Sequence, residues 1–240
     1  MGRVGPTMPG MRLLRSLSLI VIAGAALSQG AVLSGAPGRR VTVGISVEGP
    51  VPAAVSRHEP AMVAEADAIW RRYGVGVALL RGDAADIATS DVQLSLAFAP
   101  AGKPAATSRP AGPQLGSIWF HDAITPGQSL TIDSEMVEAK VREGAAAGKP
   151  LNQWPPAVAD TMIGRALGRV LAHEIGHFLL ASSAHASSGL MRPAFDGRVL
   201  GAWDRNPFRL QSGALVRLHA RLARLETIDK PIIAAGGPDR

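Results

Sequence analysis

The pentapeptide His173-Glu174-Ile175-Gly176-His177 constrains this chain more than any other stretch. Two histidines four residues apart on a helix lie on one face, one turn from each other. Such a pair can aim one ring nitrogen each at a single metal ion. Glu174 follows the first histidine, rotated by roughly 100° at about 3.6 residues per turn. It cannot share the histidines' pose, but it can reach a water beside the ion. The reading depends on the stretch being helical. Pro155 and Pro156 suit a first helical turn. Ala159, Ile163, Ala166 and Val170 then recur at helical spacing, and the stripe runs on into His173 and His177. Arg165 and Arg169 lie off that stripe. Gly164 and Gly168 either weaken the helix or let another element approach closely.

Past His177 the chain becomes rich in Ser, Ala and Gly from Ser182 to Gly189, which predicts that the helix ends and the chain turns back. That return would bring His185 round as a third imidazole. Three protein ligands with one open position is the arrangement of catalytic Zn²⁺ sites. Leu190-Met191-Arg192-Pro193 comes next and looks like a methionine turn, a resemblance that implies Met191 as an apolar floor beneath the ion. Other donors stay open for the third place. Asp196 and Asp204 follow the turn, and a carboxylate can ligate zinc. His121 lies earlier in the chain. Glu226 is the only Glu after Glu174, and no second-helix motif surrounds it.

The paired histidines, the distal His185 and the turn around Met191 together resemble the metzincin metalloproteases. Their usual pattern is H-E-x-x-H-x-x-G-x-x-H followed by a methionine turn. Here Leu180 occupies the glycine position, and His185 falls eight residues after His177 rather than six. A loop longer by two residues can still deliver the third histidine. Pro193 stands two residues after Met191, as in matrix-metalloprotease-like members, and no astacin-like tyrosine occupies that place. The longer spacing also resembles that of exported bacterial proteins with an HEIGHLLLG-like helix. The resemblance covers residues 170–193. It implies an endopeptidase that holds Zn²⁺ on His173, His177 and His185, uses Glu174 as general base toward a metal-activated water, and takes an extended peptide or protein substrate. The alternative is a non-catalytic, zinc-stabilised binding protein of the cell envelope with a metzincin-like fold. Glu174 argues against it, because a structural zinc site has no use for that carboxylate.

The rest of the chain predicts a single α/β (α+β) domain over residues 37–228. Residues 41–47, 75–80, 91–98 and 115–120 read as strands, with a short fifth at 129–132. Residues 59–73 carry Met62, Ala66, Ile69 and Tyr73 at helical spacing, with Trp70 beside them and Gly74 as the stop. His58, just before that helix, reads as a cap or a solvated residue. Residues 133–143 form a further helix, and 99–114 and 144–153 are loops. Residues 81–83, Arg-Gly-Asp, read as a turn. Residues 195–208 look irregular. Residues 209–227 read as a last helix that buries Leu215, Leu218, Leu222 and Leu225, with Arg217, Arg221 and Arg224 on another side and His219 structural or solvated. Residues 229–240 form a flexible tail. The resemblance implies a twisted, mostly parallel sheet whose antiparallel edge strand, residues 115–120, lies above the cleft. An extended peptide can pair with such an edge.

Composition sets the remaining bounds. The chain has no cysteine, which excludes disulfides, thiolate zinc sites and a cysteine-switch propeptide. Residues 1–36 read as a signal peptide: Arg12 and Arg15 precede a short apolar run from Leu17 to Leu27, and small residues follow. The expected location is therefore secreted or periplasmic, with an uncleaved membrane anchor as the alternative. The leader holds three of the 25 basic residues and no acid, which leaves 22 against 19, a net charge of +3. No block of like charge points to nucleic acid. A monomer with no stable membrane partner after cleavage is expected.

Overall fold

Five strands form one sheet, in the order β2-β1-β3-β5-β4. The strands are β1 (Val41–Glu48), β2 (Val75–Leu79), β3 (Val92–Phe98), β4 (Gly116–Phe120) and β5 (Pro126–Ile132). The computed structural model describes residues 40–80, 90–99, 114–122, 124–144 and 151–228. The readings made on residues 1–36, on the 81–83 turn, on nearly all of the 99–114 loop and on the 229–240 tail lie outside them.

β1 pairs in parallel with β2 and β3, and β3 pairs in parallel with β5. β4 runs antiparallel to β5 and ends the sheet. The fold class is thus α/β with a mostly parallel sheet and an antiparallel edge strand. Register puts Ile45 beside Leu94, and Leu96 beside Leu130, so one face of the sheet is continuous hydrocarbon. The period of two alone assigns these residues to one side. The fifth strand begins at Pro126, three residues before the expected start. Pro126 takes the first position of the strand, where a proline leaves the ladder intact.

Helix α1 (Ala53–Ser56) is a single turn, and α2 (Glu59–Trp70) follows it. A 3₁₀ turn, Arg71–Tyr73, extends α2 to Gly74, whose φ of 78° ends it as expected. Helix α3 (Ser134–Gly144) buries Val137 and Val141. Helix α4 (Pro156–Leu180) carries the histidine pair, and a 3₁₀ turn, Leu151–Gln153, precedes it. Helix α5 (Gly197–Gly201) and a further 3₁₀ turn, Asn206–Phe208, order the 195–208 segment that the sequence left irregular. Helix α6 (Ser212–Ile228) starts three residues later than expected. Leu218 and Leu222 are buried in it, Leu215 and Leu225 are half-buried, and His219 is exposed.

α4 is the axis of the molecule. The stripe in its sequence predicted one buried face, but every residue from Ile163 to Leu180 is buried. α2 crosses it where Gly164 and Gly168 remove side chains. A Cβ at Gly164 would lie 2.6 Å from Ala61 Cβ, and one at Gly168 would lie 2.7 Å from Glu65 Cβ. Of the two meanings open for these glycines, close approach is therefore the operative one. Trp70, fully buried, donates from Nε1 to the Ala172 carbonyl at 3.0 Å and pins the end of α2 to α4.

The two arginines that lie off the apolar stripe are buried as well. Arg169 is 0 % exposed and pairs with Glu65 at 3.0 Å. Its guanidinium also donates to the carbonyls of Val199, Leu200 and Asp204. Arg205 holds the other Glu65 oxygen with two nitrogens, at 2.9 and 2.7 Å, and Arg165 lies 3.7 Å from it. Burial lowers the Arg169 pKa to about 10, against the pull of Glu65. A buried charge survives only when paired and fully hydrogen-bonded. Glu65 thereby ties α2 and α4 to the segment that follows Met191. His58 is likewise not solvated. It is 2 % exposed at the N-cap position of α2, makes no side-chain cap bond, and faces Asp160 with Nε2 at 3.8 Å. No helix among the described residues is long and apolar enough to cross a membrane.

Candidate metal centre

Regular helix through residues 173–177 sets the first two imidazoles one turn apart. Their ring centroids lie 4.7 Å from each other with planes at 83°. The Nδ1 of His173 is 2.7 Å from the Leu190 carbonyl, and the Nδ1 of His177 is 2.7 Å from the Ser182 carbonyl. A carbonyl only accepts, so each Nδ1 carries the proton. Each Nε2 is then left as a lone pair. The two Nε2 atoms face each other at 3.0 Å.

Both rings are buried, at 7 % and 5 % exposure. Burial, with the other imidazoles, lowers the pKa of His173 to about 3. Burial lowers that of His177 to about 4, and the nearby His185 adds to the fall. Two neutral rings with opposed lone pairs repel unless a cation sits between them. The donor set therefore fits a divalent metal, and backbone carbonyls holding Nδ1–H are the usual means of fixing a ligating imidazole.

His185 joins them from the loop. Its ring stacks on His173 at 5.3 Å and 18°, and meets His177 edge-on at 4.9 Å. One nitrogen from each of the three rings lies within 4.8 Å of the others. Unlike its partners, His185 is exposed. Its pKa is lowered by desolvation alone.

The eight-residue interval has a structural account. α4 runs through Leu180, and Ala181 takes the left-handed turn at φ 46°, with its N–H on the His177 and Phe178 carbonyls. The helix thus ends one residue later than a glycine at position 180 would end it. The loop then leaves from Ser182, held by His177, and returns at Leu190, held by His173. Ala186 N–H closes it on the Met191 carbonyl at 2.7 Å, and Leu190 N–H bonds the Arg209 carbonyl at 3.0 Å. Met191, 3 % exposed, packs its sulfur onto Gly176 between the two histidines, where a Cβ would collide with it.

Glu174 is 4 % exposed, and burial pushes its pKa up to about 8. A cation beside it would favour the ionised form. Phe120, at the end of β4, sets its ring 6.5 Å from His177 at 85°. On the other flank Phe195 meets His173 edge-on at 5.6 Å and stacks on Phe208. Phe208 lies under the Arg169 guanidinium, one helical turn before His173. The buried charge node therefore backs the wall of the site.

Among the described residues the other candidate donors stay away from this group. Asp196 caps α5 by accepting from Arg198 N–H at 2.7 Å, and Asp204 accepts from Asn206 N–H at 2.9 Å. Each is committed to a helical start, the ordinary use of Asp there. His121 lies over β5, with Nε2 3.6 Å from where a Gly127 Cβ would be. The Glu226 side chain lies outside the described residues. Sequence reasoning missed the Leu190 and Ser182 carbonyls, which no side-chain pattern reveals. It also missed Arg169, although its place four residues before His173 was a usable signal.

No protein-family model matches the chain, and no curated protein does. Among solved structures, the crystal structure of archaemetzincin from Methanopyrus kandleri is similar, with a TM-score of 0.41 and 14% sequence identity. The match covers 78% of this chain and 98% of that one.

Proposed function

We propose that this chain is an exported zinc-dependent endopeptidase. The observation that carries the proposal is the convergence of three neutral imidazoles, two with opposed lone pairs 3.0 Å apart, next to a buried carboxylic acid. Three nitrogen donors with one side open suit Zn²⁺ in a hydrolytic role. His173, His177 and His185 would hold it. When bound, it would supply Lewis acidity toward a water and toward the scissile carbonyl.

The chain's own groups do the rest. The Nδ1–H bonds to Leu190 and Ser182 keep both Nε2 atoms unprotonated and aimed inward. Glu174 accepts the proton of the attacking water on a carboxylate oxygen and hands it to the leaving amine nitrogen. Burial of Glu174 and of both helix-borne rings keeps bulk water from that exchange. β4 offers its outer edge beside the site, and an extended peptide adding to it would bring its carbonyls past His177. Export rests on the basic-then-apolar leader at residues 1–36.

The test is cleavage of a mixed peptide library by purified protein of known metal content. Cleavage that a chelator abolishes and Zn²⁺ restores supports the proposal. A protein with one Zn²⁺ per chain and no cleavage would instead favour a zinc-stabilised binding protein.

A further inference from the structure

We propose that Gly116, the first residue of β4, is a positioning residue for the Glu174 carboxyl; the inference rests on the peptidase reading for its catalytic part. Gly116 pairs with Ile132 across the sheet and so faces α4. A Cβ built there would lie 2.9 Å from Glu174 Oε1, 3.1 Å from Glu174 Cγ and 2.8 Å from Val170 Cγ1. Real Cβ atoms do not come so close to a neighbour, so something has to move. Gly116 is not among the residues with positive φ, so the backbone does not require glycine. What requires it is room. A strand glycine of this kind marks a close approach.

The neighbour that needs the room matters. Glu174 is 4 % exposed, with β4 directly on it. α4 is buried at this level, from Ile163 to Leu180, so its side chains have little room to move aside. A methyl group at position 116 therefore turns the carboxyl out of its seat or lifts the edge strand off it. In the first case the carboxylate no longer stands where α4 presents it; in the second it loses the strand that covers it. Misplacement of a reacting group by about 1 Å can cost about a hundredfold in rate. The position has no chemistry of its own; of the two side chains its methyl would meet, Val170 and Glu174, only Glu174 carries a group that could act on a substrate.

The test is a pair of double-mutant cycles. Gly116→Ala is made alone, with Glu174→Ala and with Val170→Ala, and thermal melting is read on metal-free protein. The expected result is a melting point lowered by Gly116→Ala in the wild-type background and lowered clearly less in the Glu174→Ala background, where only the contact with Val170 remains. Restoration by Val170→Ala instead would overturn the inference, because the methyl would then meet only Val170. If Gly116→Ala alone does not fold, the double variant with Glu174→Ala is expected to fold, and its failure counts against the inference.

Turnover of a cleaved peptide gives the second readout. Gly116→Ala is expected to lower kcat about a hundredfold, with KM and zinc content unchanged. An unchanged kcat, or a raised KM with unchanged kcat, overturns the positioning role. Absence of cleavage by the wild type would sink the peptidase reading, while the melting cycles would still decide whether methyl and carboxyl compete.

Discussion

The two histidines on α4 and the one on the loop after it reach the same point by different means. His173 and His177 are buried, spaced by the helix, and oriented by carbonyls at 2.7 Å. His185 is exposed, and among the described residues its placement comes from ring contacts with the other two. The first pair is preorganised before any metal arrives. The third imidazole sits on a loop bonded on both sides of it, at Ala184 and Ala186 and again at Ser188, while its own ring stays exposed. The helix-borne pair is oriented by backbone carbonyls and the loop-borne ring is not, yet the eight-residue interval brings all three nitrogens within 4.8 Å of one another.

The largest effect expected from breaking this contrast is on the rigid side. His173→Ala or His177→Ala should leave zinc content below detection after dialysis, because each change removes a ligand and leaves a carbonyl without its donor. Metal analysis of the purified variants checks it. His185→Ala should weaken Zn²⁺ affinity by at least about a hundredfold, beyond the roughly 10–100-fold typical of losing an outer partner of a ligand. Competition with a chromogenic chelator reads this directly. Unchanged affinity in that variant would show that the loop donor is not a ligand.

Gly176→Ala sharpens the comparison at the contact between helix and turn. The added methyl meets the Met191 sulfur, and overpacking of this kind costs about 1–3 kcal/mol. Because Leu190 accepts from His173, the shift should also lower metal affinity. Chemical denaturation with and without metal separates the two effects.

The pH dependence of the metal-free protein carries both signs. His173 and His177 are depressed to about 3 and about 4 from 6.5, so their contribution is present above pH 6.5 and is lost as pH falls through those values. Glu174 is raised to about 8 from 4.5, so its contribution is present below pH 4.5 and is lost as pH rises through 8. Melting temperature should therefore peak at mildly acidic pH. Glu174→Gln should flatten the alkaline arm and leave the acid arm.

The smallest effect is expected at the hinge between the two kinds of ligand. Ala181 holds a left-handed conformation at φ 46°, which costs an L-residue about 1–2 kcal/mol. Glycine removes that cost but adds about 0.4–1 kcal/mol of unfolded-chain entropy. Ala181→Gly should thus raise metal-free stability by about 0.5–1 kcal/mol. A destabilised variant would show that the left-handed turn carries no strain.

The same contrast separates what was legible in the sequence from what was not. The histidine spacing, the Ser/Ala/Gly run and the alternation of β1 and β3 are local patterns, and local patterns survive in one dimension. The edge strand and its antiparallel sense came from the resemblance, and the structure bears them out. Arg165 and Arg169 were placed off the apolar stripe of their helix, and the structure buries both. Their partner, Glu65, lies 104 residues from Arg169, and a pairing across such a distance leaves no periodic trace. His58 failed for the same reason, since Asp160 lies far along the chain. Gly116 carried a readable signal, a glycine opening a strand, but its partner could be named only once β4 was placed over α4.

Everything functional turns on whether Glu174 moves a proton beside a metal held by the three histidines. The most direct measurement is peptide cleavage by the wild type and by Glu174→Gln, each brought to one Zn²⁺ per chain. The expected result is equal metal content with turnover confined to the wild type. Equal turnover in the two proteins would contradict the assignment of Glu174.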